Sequence, residues 1–281
     1  MKMMSMEIKG KTITIYGTEN AGSPLVVLNT YAGNGSDVWA ECAALSCPPF
    51  TLAVVGNIDW DADMSPWECE PLSKNDTPCS GGAGSYLALL TGEILPSVRE
   101  RLSAPPAYTS IAGYSLAGLF ALYAAYKTDA FSRIASASGS LWFPRFADFA
   151  ETAPFARTPD CIYLSLGDTE AKTRNKILAP VQENTERLAA FYQSRGIPTL
   201  FKLNKGSHFT DGAGRMARGI KWILEGLIED KEGEVSPSLQ PASRSYATPS
   251  PKGDASLSPL KSPIHSHELW EHSGQNSISS R

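Results

Sequence analysis

The chain has 281 residues, enough for one large α/β domain with an appendage, and carries a net charge of −4 without any basic run. That balance argues against nucleic acid or an anionic membrane surface as a main partner. No stretch is apolar for the length of a membrane span, and the start, MKMMSMEIKGKTITIYG, lacks the apolar core and cleavage site of a secretory signal, so a cytoplasmic protein is expected.

Strand-like and helix-like segments alternate from the first strand, expected at 12–16, through a second at 25–30. The loop after it, YAGNGS, is rich in glycine, so its backbone can approach a bound molecule closely, and the N–H of Tyr31 or Ala32 is a candidate oxyanion donor. A plain glycine turn is an equal alternative. A helix at 36–45 and a strand at 51–57 follow, then NIDWDADMSPW, which crowds Asp59, Asp61 and Asp63 together with Trp60 and Trp67. The tryptophans, with Trp142 further on, are candidate walls of a substrate pocket, with ordinary core packing as the alternative for each.

A helix at 86–102 leads to the stretch SIAGYSLAGLFALYAAY. Residues 109–112 favour a strand and 116–127 a buried helix, so Ser115 sits at a strand-to-helix corner. Small residues two before and two after, Gly113 and Ala117, let strand and helix approach, as in a G-x-S-x-G nucleophile elbow with alanine in the second glycine position and Gly118 directly after. The N–H of Leu116, at the start of the helix, would face a developing oxyanion.

Strands at 133–136 and 162–166 come next. IYLSLGDTEAKTRN brings two carboxylates to the end of the second, Asp168 and Glu170. In the order Ser, acid, His, the acid commonly stands three residues after a glycine, and Gly167 to Glu170 has that spacing; Glu170 is the first choice and Asp168 the alternative. A helix at 179–194 and a last strand at 199–203 lead to NKGSHFTD. His208 is the one histidine of the four outside the C-terminal region, and it stands where a general base for Ser115 is needed. After a helix at 214–228, Ser and Pro dominate from Lys231 onward and large aliphatics nearly vanish, apart from Leu269-Trp270. We therefore expect a folded domain over 1–230 and a disordered tail over 231–281.

The β-α rhythm predicts an α/β fold: a mostly parallel central sheet with helices on both faces and ligand sites at the carboxyl ends of the strands. Five cysteines, Cys42, Cys47, Cys69, Cys79 and Cys161, form no C-x-x-C pair and have no histidine beside them. A zinc site or disulfide framework is not expected, although Cys69 and Cys79 could pair in an oxidising setting; no cofactor or metal is needed.

With these residues in hand, the chain resembles the esterase D or enterochelin esterase-like group of α/β hydrolases. The resemblance rests on IAGYSLAGLFALYA followed by SASGSLW, on DADMSPW followed by GGAGSYLALLTGEILP, and on LSLGDTEAKTRN and GSHFTD, in order over about residues 23 to 228. It implies the α/β-hydrolase fold and a serine carboxylic ester hydrolase. Family members cleave siderophore lactones or feruloyl, acetyl and S-formyl esters, and a few transfer acyl groups. Some siderophore-type relatives carry arginine before the Asp-x-Ser/Thr-Pro element, where this chain has its three aspartates. Repulsion of an anionic siderophore by them points to a neutral ester of a small, aromatic or sugar-linked acid. Siderophore cleavage, acyl transfer and, from another class, a non-catalytic binding protein of the same fold remain as alternatives. The oligomeric state is not legible.

Overall fold

The computed structural model describes residues 3–74 and 76–226, so the segment 231–281, expected to be a tail, lies outside the described residues. One eight-stranded sheet spans the described residues. Its strands are β1 (Met3–Ile8), β2 (Lys11–Tyr16), β3 (Leu25–Asn29), β4 (Thr51–Gly56), β7 (Thr109–Tyr114), β8 (Arg133–Ala137), β9 (Cys161–Gly167) and β10 (Thr199–Asn204), in the spatial order β1-β2-β4-β3-β7-β8-β9-β10. Cys69 and Cys79 face each other in a separate two-stranded ribbon, β5 (Glu68–Cys69) with β6 (Cys79–Ser80). Pairing is parallel from β4 to β10; β2 runs antiparallel to both β1 and β4.

Strand alternation explains the two apolar layers. On β3, Leu25 and Val27 enter one cluster and Val26 and Leu28 the other; on β4, Ala53 and Val55 oppose Leu52 and Val54. A strand covered on both sides must be apolar at every position, which is why β3 and β4 read as continuous aliphatic runs. The first layer packs beneath a helical segment running from α3 (Ala83–Leu89) through a π-helical turn (Leu90–Ile94) to α4 (Leu95–Arg99), with α5 (Leu116–Lys127), α6 (Phe146–Thr152) and α7 (Val181–Ser194). The second packs beneath α1 (Ser36–Ala44) and α8 (Gly212–Glu225). Buried all round, from Leu116 to Tyr126, α5 shows no apolar stripe, as expected of a helix sandwiched in a core.

All seven strands expected from the sequence are present, within a residue or two. Five further pieces were not anticipated: β1, the ribbon strands β5 and β6, the single-turn helix α2 (Trp60–Asp63) and α6. In β1 the polar-apolar alternation of MMSMEI is carried by methionines on an edge strand, a weak signal for strand formation. Among the described residues no helix is long and apolar enough to cross a membrane.

Candidate active site

Four adjacent parallel strands deliver the site. Register places Tyr114 beside Ala137, Ala137 beside Ser165, and Gly167 beside Asn204, so the segments that follow β7, β8, β9 and β10 all leave the same edge of the sheet. Ser115 stands alone between β7 and α5 at φ 60° and ψ −124°, a conformation that costs a non-glycine residue on the order of 1–3 kcal/mol. Backbone bonds hold it there: its N–H donates to the Ala137 carbonyl at 3.2 Å, and its carbonyl accepts from the N–H groups of Gly118, Leu119 and Ser140 at 3.0, 3.1 and 3.0 Å.

The tightness of the corner shows why position 113 is glycine. A Cβ there would lie 2.2 Å from the Ala117 carbonyl oxygen and 2.8 Å from the Ala117 methyl. Ala117 is accommodated because Gly113 has no side chain to oppose it. Gly118 serves a different contact, since a Cβ there would meet Ser136 Oγ at 2.8 Å and Gly139 Cα at 3.0 Å.

His208 Nε2 lies 3.0 Å from Ser115 Oγ, and its Nδ1 lies 2.8 Å from Glu170 Oε2. The other carboxylate oxygen, Oε1, accepts from the Gly167 N–H at 2.6 Å, the Ser138 hydroxyl at 2.8 Å and Arg215 Nη1 at 3.2 Å. Burial pushes the Glu170 carboxyl up, but hydrogen bonding to His208, the imidazole charge, and the Gly167 and Ser138 donors together outweigh it and hold the group below the usual glutamate range. The three-residue spacing from Gly167 works because the chain turns back on itself: Glu170 N–H bonds the Gly167 carbonyl, and Gly167 N–H bonds the Glu170 side chain.

Asp168 has another partner. Its Oδ1 accepts from the Gly206 N–H at 2.9 Å and its own N–H donates to the Asn204 carbonyl, which ties the acid loop to the histidine loop. Gly206, at φ 104°, shapes that loop, and Tyr114 steadies it by donating its hydroxyl to the His208 carbonyl at 2.7 Å.

Leu116 heads α5, where the first N–H groups have no intrahelical acceptor. Tyr31 and Ala32 follow β3, whose Asn29 is register partner of Gly113, so their loop borders the elbow. Thr30 Oγ1 fixes that loop on the Ala32 carbonyl at 2.8 Å, and the Tyr31 ring meets Trp60 edge-on at 5.3 Å. Trp60 thus sits beside the loop that follows β3. Trp67 is spent elsewhere, with its indole N–H on the Pro144 carbonyl at 3.0 Å and its ring among Phe143, Phe146 and Phe149. Trp142 is half-buried against Phe143, two residues beyond Ser140.

The aspartate loop carries less charge than its composition suggests. Asp63 is ion-paired with Lys11 and accepts the Asp59 N–H. Burial, followed by the charges of Asp59 and Asp76, pushes the Asp61 carboxyl up.

Four participants escaped the sequence reading. Ser140 places its hydroxyl 3.3 Å from Ser115 Oγ, Ser138 and Tyr114 act as above, and Arg215 is a fully buried cation behind Glu170. A signal for Arg215 existed: it lies next to Met216 and one turn from Gly219 and Ile220, on the buried side of α8, where an arginine needs a partner.

A serine at the corner of a mostly parallel sheet, bonded to a histidine that is bonded to a carboxylate, defines the serine-hydrolase class of α/β fold. The chain belongs to the Putative esterase family, whose model matches residues 30–208, from the loop after β3 to the histidine; it is an esterase. It is 23% identical over 192 residues to the uncharacterized protein YbbA of Bacillus subtilis, covering 64% of this chain and 75% of that one. Two solved structures share the fold: an IroE-like serine hydrolase from Shewanella oneidensis (TM-score 0.65, 17% identity, 80% of each chain) and the siderophore hydrolase EstA from Aspergillus nidulans (TM-score 0.61, 17% identity, 80% of this chain and 94% of that one).

Proposed function

We propose that the protein hydrolyses a carboxylic ester through an acyl-enzyme on Ser115. The observation that carries this reading is the continuous relay of 3.0 Å from Ser115 to His208 and 2.8 Å from His208 to Glu170, set at a strained corner. With Nδ1–H donated to Glu170, the Nε2 lone pair accepts the serine proton as Oγ attacks the ester carbonyl. The backbone N–H of Leu116 and one from Tyr31 or Ala32 receive the oxyanion. His208 then protonates the leaving alcohol and draws a proton from the water that releases the acid.

The favoured substrate is a neutral ester of a small, aromatic or sugar-linked acid, with the Tyr31–Trp60 pair bordering the acyl or alcohol site. A second reading, cleavage of a siderophore ester, is supported by the Lys11–Asp63 pair, which removes one of the three charges that would repel an anionic ligand, and by the likeness to a siderophore hydrolase. The decisive test labels the protein with a fluorophosphonate and maps the adduct, then compares kcat/KM for neutral aryl esters and a ferric trilactone at matched ionic strength. An adduct on Ser115 and faster turnover of the aryl ester are expected. Lack of labelling would overturn the mechanism, and preference for the trilactone would move the second reading to first place. Analysis of products with an alcohol acceptor present separates hydrolysis from acyl transfer.

A further inference from the structure

We propose that Arg215 is a positioning residue for the relay, a single guanidinium that registers the loops carrying all three of its members. The inference rests on the mechanism proposed above. Arg215 lies on α8, outside the sequence segments that hold Ser115, Glu170 and His208, and its side chain is 1% exposed. Nη1 reaches Glu170 Oε1 at 3.2 Å, Ser138 Oγ at 3.1 Å and Tyr114 Oη at 3.4 Å; Nη2 donates to the Lys205 carbonyl at 2.9 Å.

Those four contacts come from the ends of β7, β8, β9 and β10. Tyr114 immediately precedes Ser115 and holds the His208 carbonyl; Lys205 opens the histidine loop; Ser138 donates to the same oxygen of Glu170 that the guanidinium meets. Oε1 is thereby occupied by Gly167, Ser138 and Arg215, which leaves Oε2 for the imidazole. A carboxylate anchored through one oxygen can present the other in only one direction, and that direction fixes which imidazole nitrogen carries the proton. Burying a cation and an anion together is costly unless both are paired, so removing the cation strands Glu170. The charged or titratable groups facing Glu170 are Arg215 from α8, His208 from the loop after β10 and Tyr114 from β7.

Lysine at this position keeps the charge but cannot reach four acceptors with a planar fork. The test is therefore Arg215→Lys beside Arg215→Met, with Ser115→Ala and wild type as controls. Arg215→Lys is expected to lose on the order of 10- to 100-fold in kcat with KM held within about twofold. Arg215→Met is expected to lose more. Should Arg215→Met not fold, the double variant Ser138→Ala with Tyr114→Phe removes two of the clamp's partners and is expected to lower kcat like Arg215→Lys. Long-range 1H–15N NMR of His208, assigned with His208→Gln, reads the tautomer independently of turnover: wild type protonated on Nδ1, the Arg215 variants mixed. Full kcat in Arg215→Lys, or an unchanged tautomer in both Arg215 variants, would overturn the proposal. Absence of turnover in wild type, with the tautomer still dependent on Arg215, would sink the esterase mechanism and leave the positioning role standing.

Discussion

Each member of the relay is held by groups that do not react. Ser115 is locked by four backbone bonds, Glu170 by its own loop, and His208 by Tyr114. Ser115→Ala and His208→Ala are each expected to lower kcat on a short-chain aryl ester by on the order of 10³-fold or more, with little further loss in the double variant, because nucleophile and base act as one unit. Clear turnover by either single variant would refute the assignment. Glu170→Gln is expected to cost on the order of 10²- to 10⁴-fold, since an amide cannot hold the same tautomer. Asp168→Asn is expected to cost far less, because the amide oxygen still accepts the Gly206 N–H; the reverse ranking in steady-state kinetics would return the acid role to Asp168. The depressed Glu170 carboxyl also sets a stability expectation. A folded value below the unfolded one means that its contribution is complete at neutral pH, fades as pH falls through the ordinary glutamate range and vanishes below the folded value. Melting temperatures of wild type and Glu170→Gln should therefore converge as pH falls through that range.

At the scale of elements, the elbow is a packing problem between β7 and α5. Gly113→Ala forces a methyl against the Ala117 carbonyl, a backbone atom that cannot step aside. The expected cost is about 1–3 kcal/mol of stability, the usual range for overpacking, with activity lost because the corner must open. Ala117→Gly relieves no clash and is expected to leave activity within a few-fold of wild type. Urea denaturation and aryl-ester kinetics on the two variants check the asymmetry; equal effects would mean that the two positions share the load. The sequence showed both small residues but not which one bears the contact. That depends on how closely the strand end approaches the first turn of the helix, a distance the pattern does not contain.

On the scale of the whole molecule, the sheet, the two apolar layers and the relay are built from residues within 3–226. A chain ending at residue 230 is accordingly expected to keep its melting temperature within a few degrees and its activity on small esters unchanged. A large fall in either would show that residues 231–281 add to the core or the site.

By itself the sequence determined whatever a local pattern encodes. Continuous aliphatic runs at β3 and β4 specified buried strands because both faces of the sheet are covered. The Gly-x-Ser-x-Ala corner and Gly167-x-x-Glu170 specified turns whose hydrogen bonds close within a few residues. His208 could be singled out since no other histidine stands among the strands. Tertiary structure alone decided the choices made by neighbours distant along the chain. Spacing from Gly167 favoured Glu170 over Asp168, but their partners were settled only when Gly206 met Asp168 and the imidazole met Glu170. Three aspartates on one loop counted as three charges until Lys11, from the antiparallel β2, neutralised one of them. Trp67 and Trp60 looked alike until α6 and Phe143 before it supplied the phenylalanines that meet the first. Arg215 became part of the site only when α8 folded back beneath four strand ends, because a buried cation takes its meaning from the anion and acceptors it meets, and these lie as far as 101 residues away in the chain.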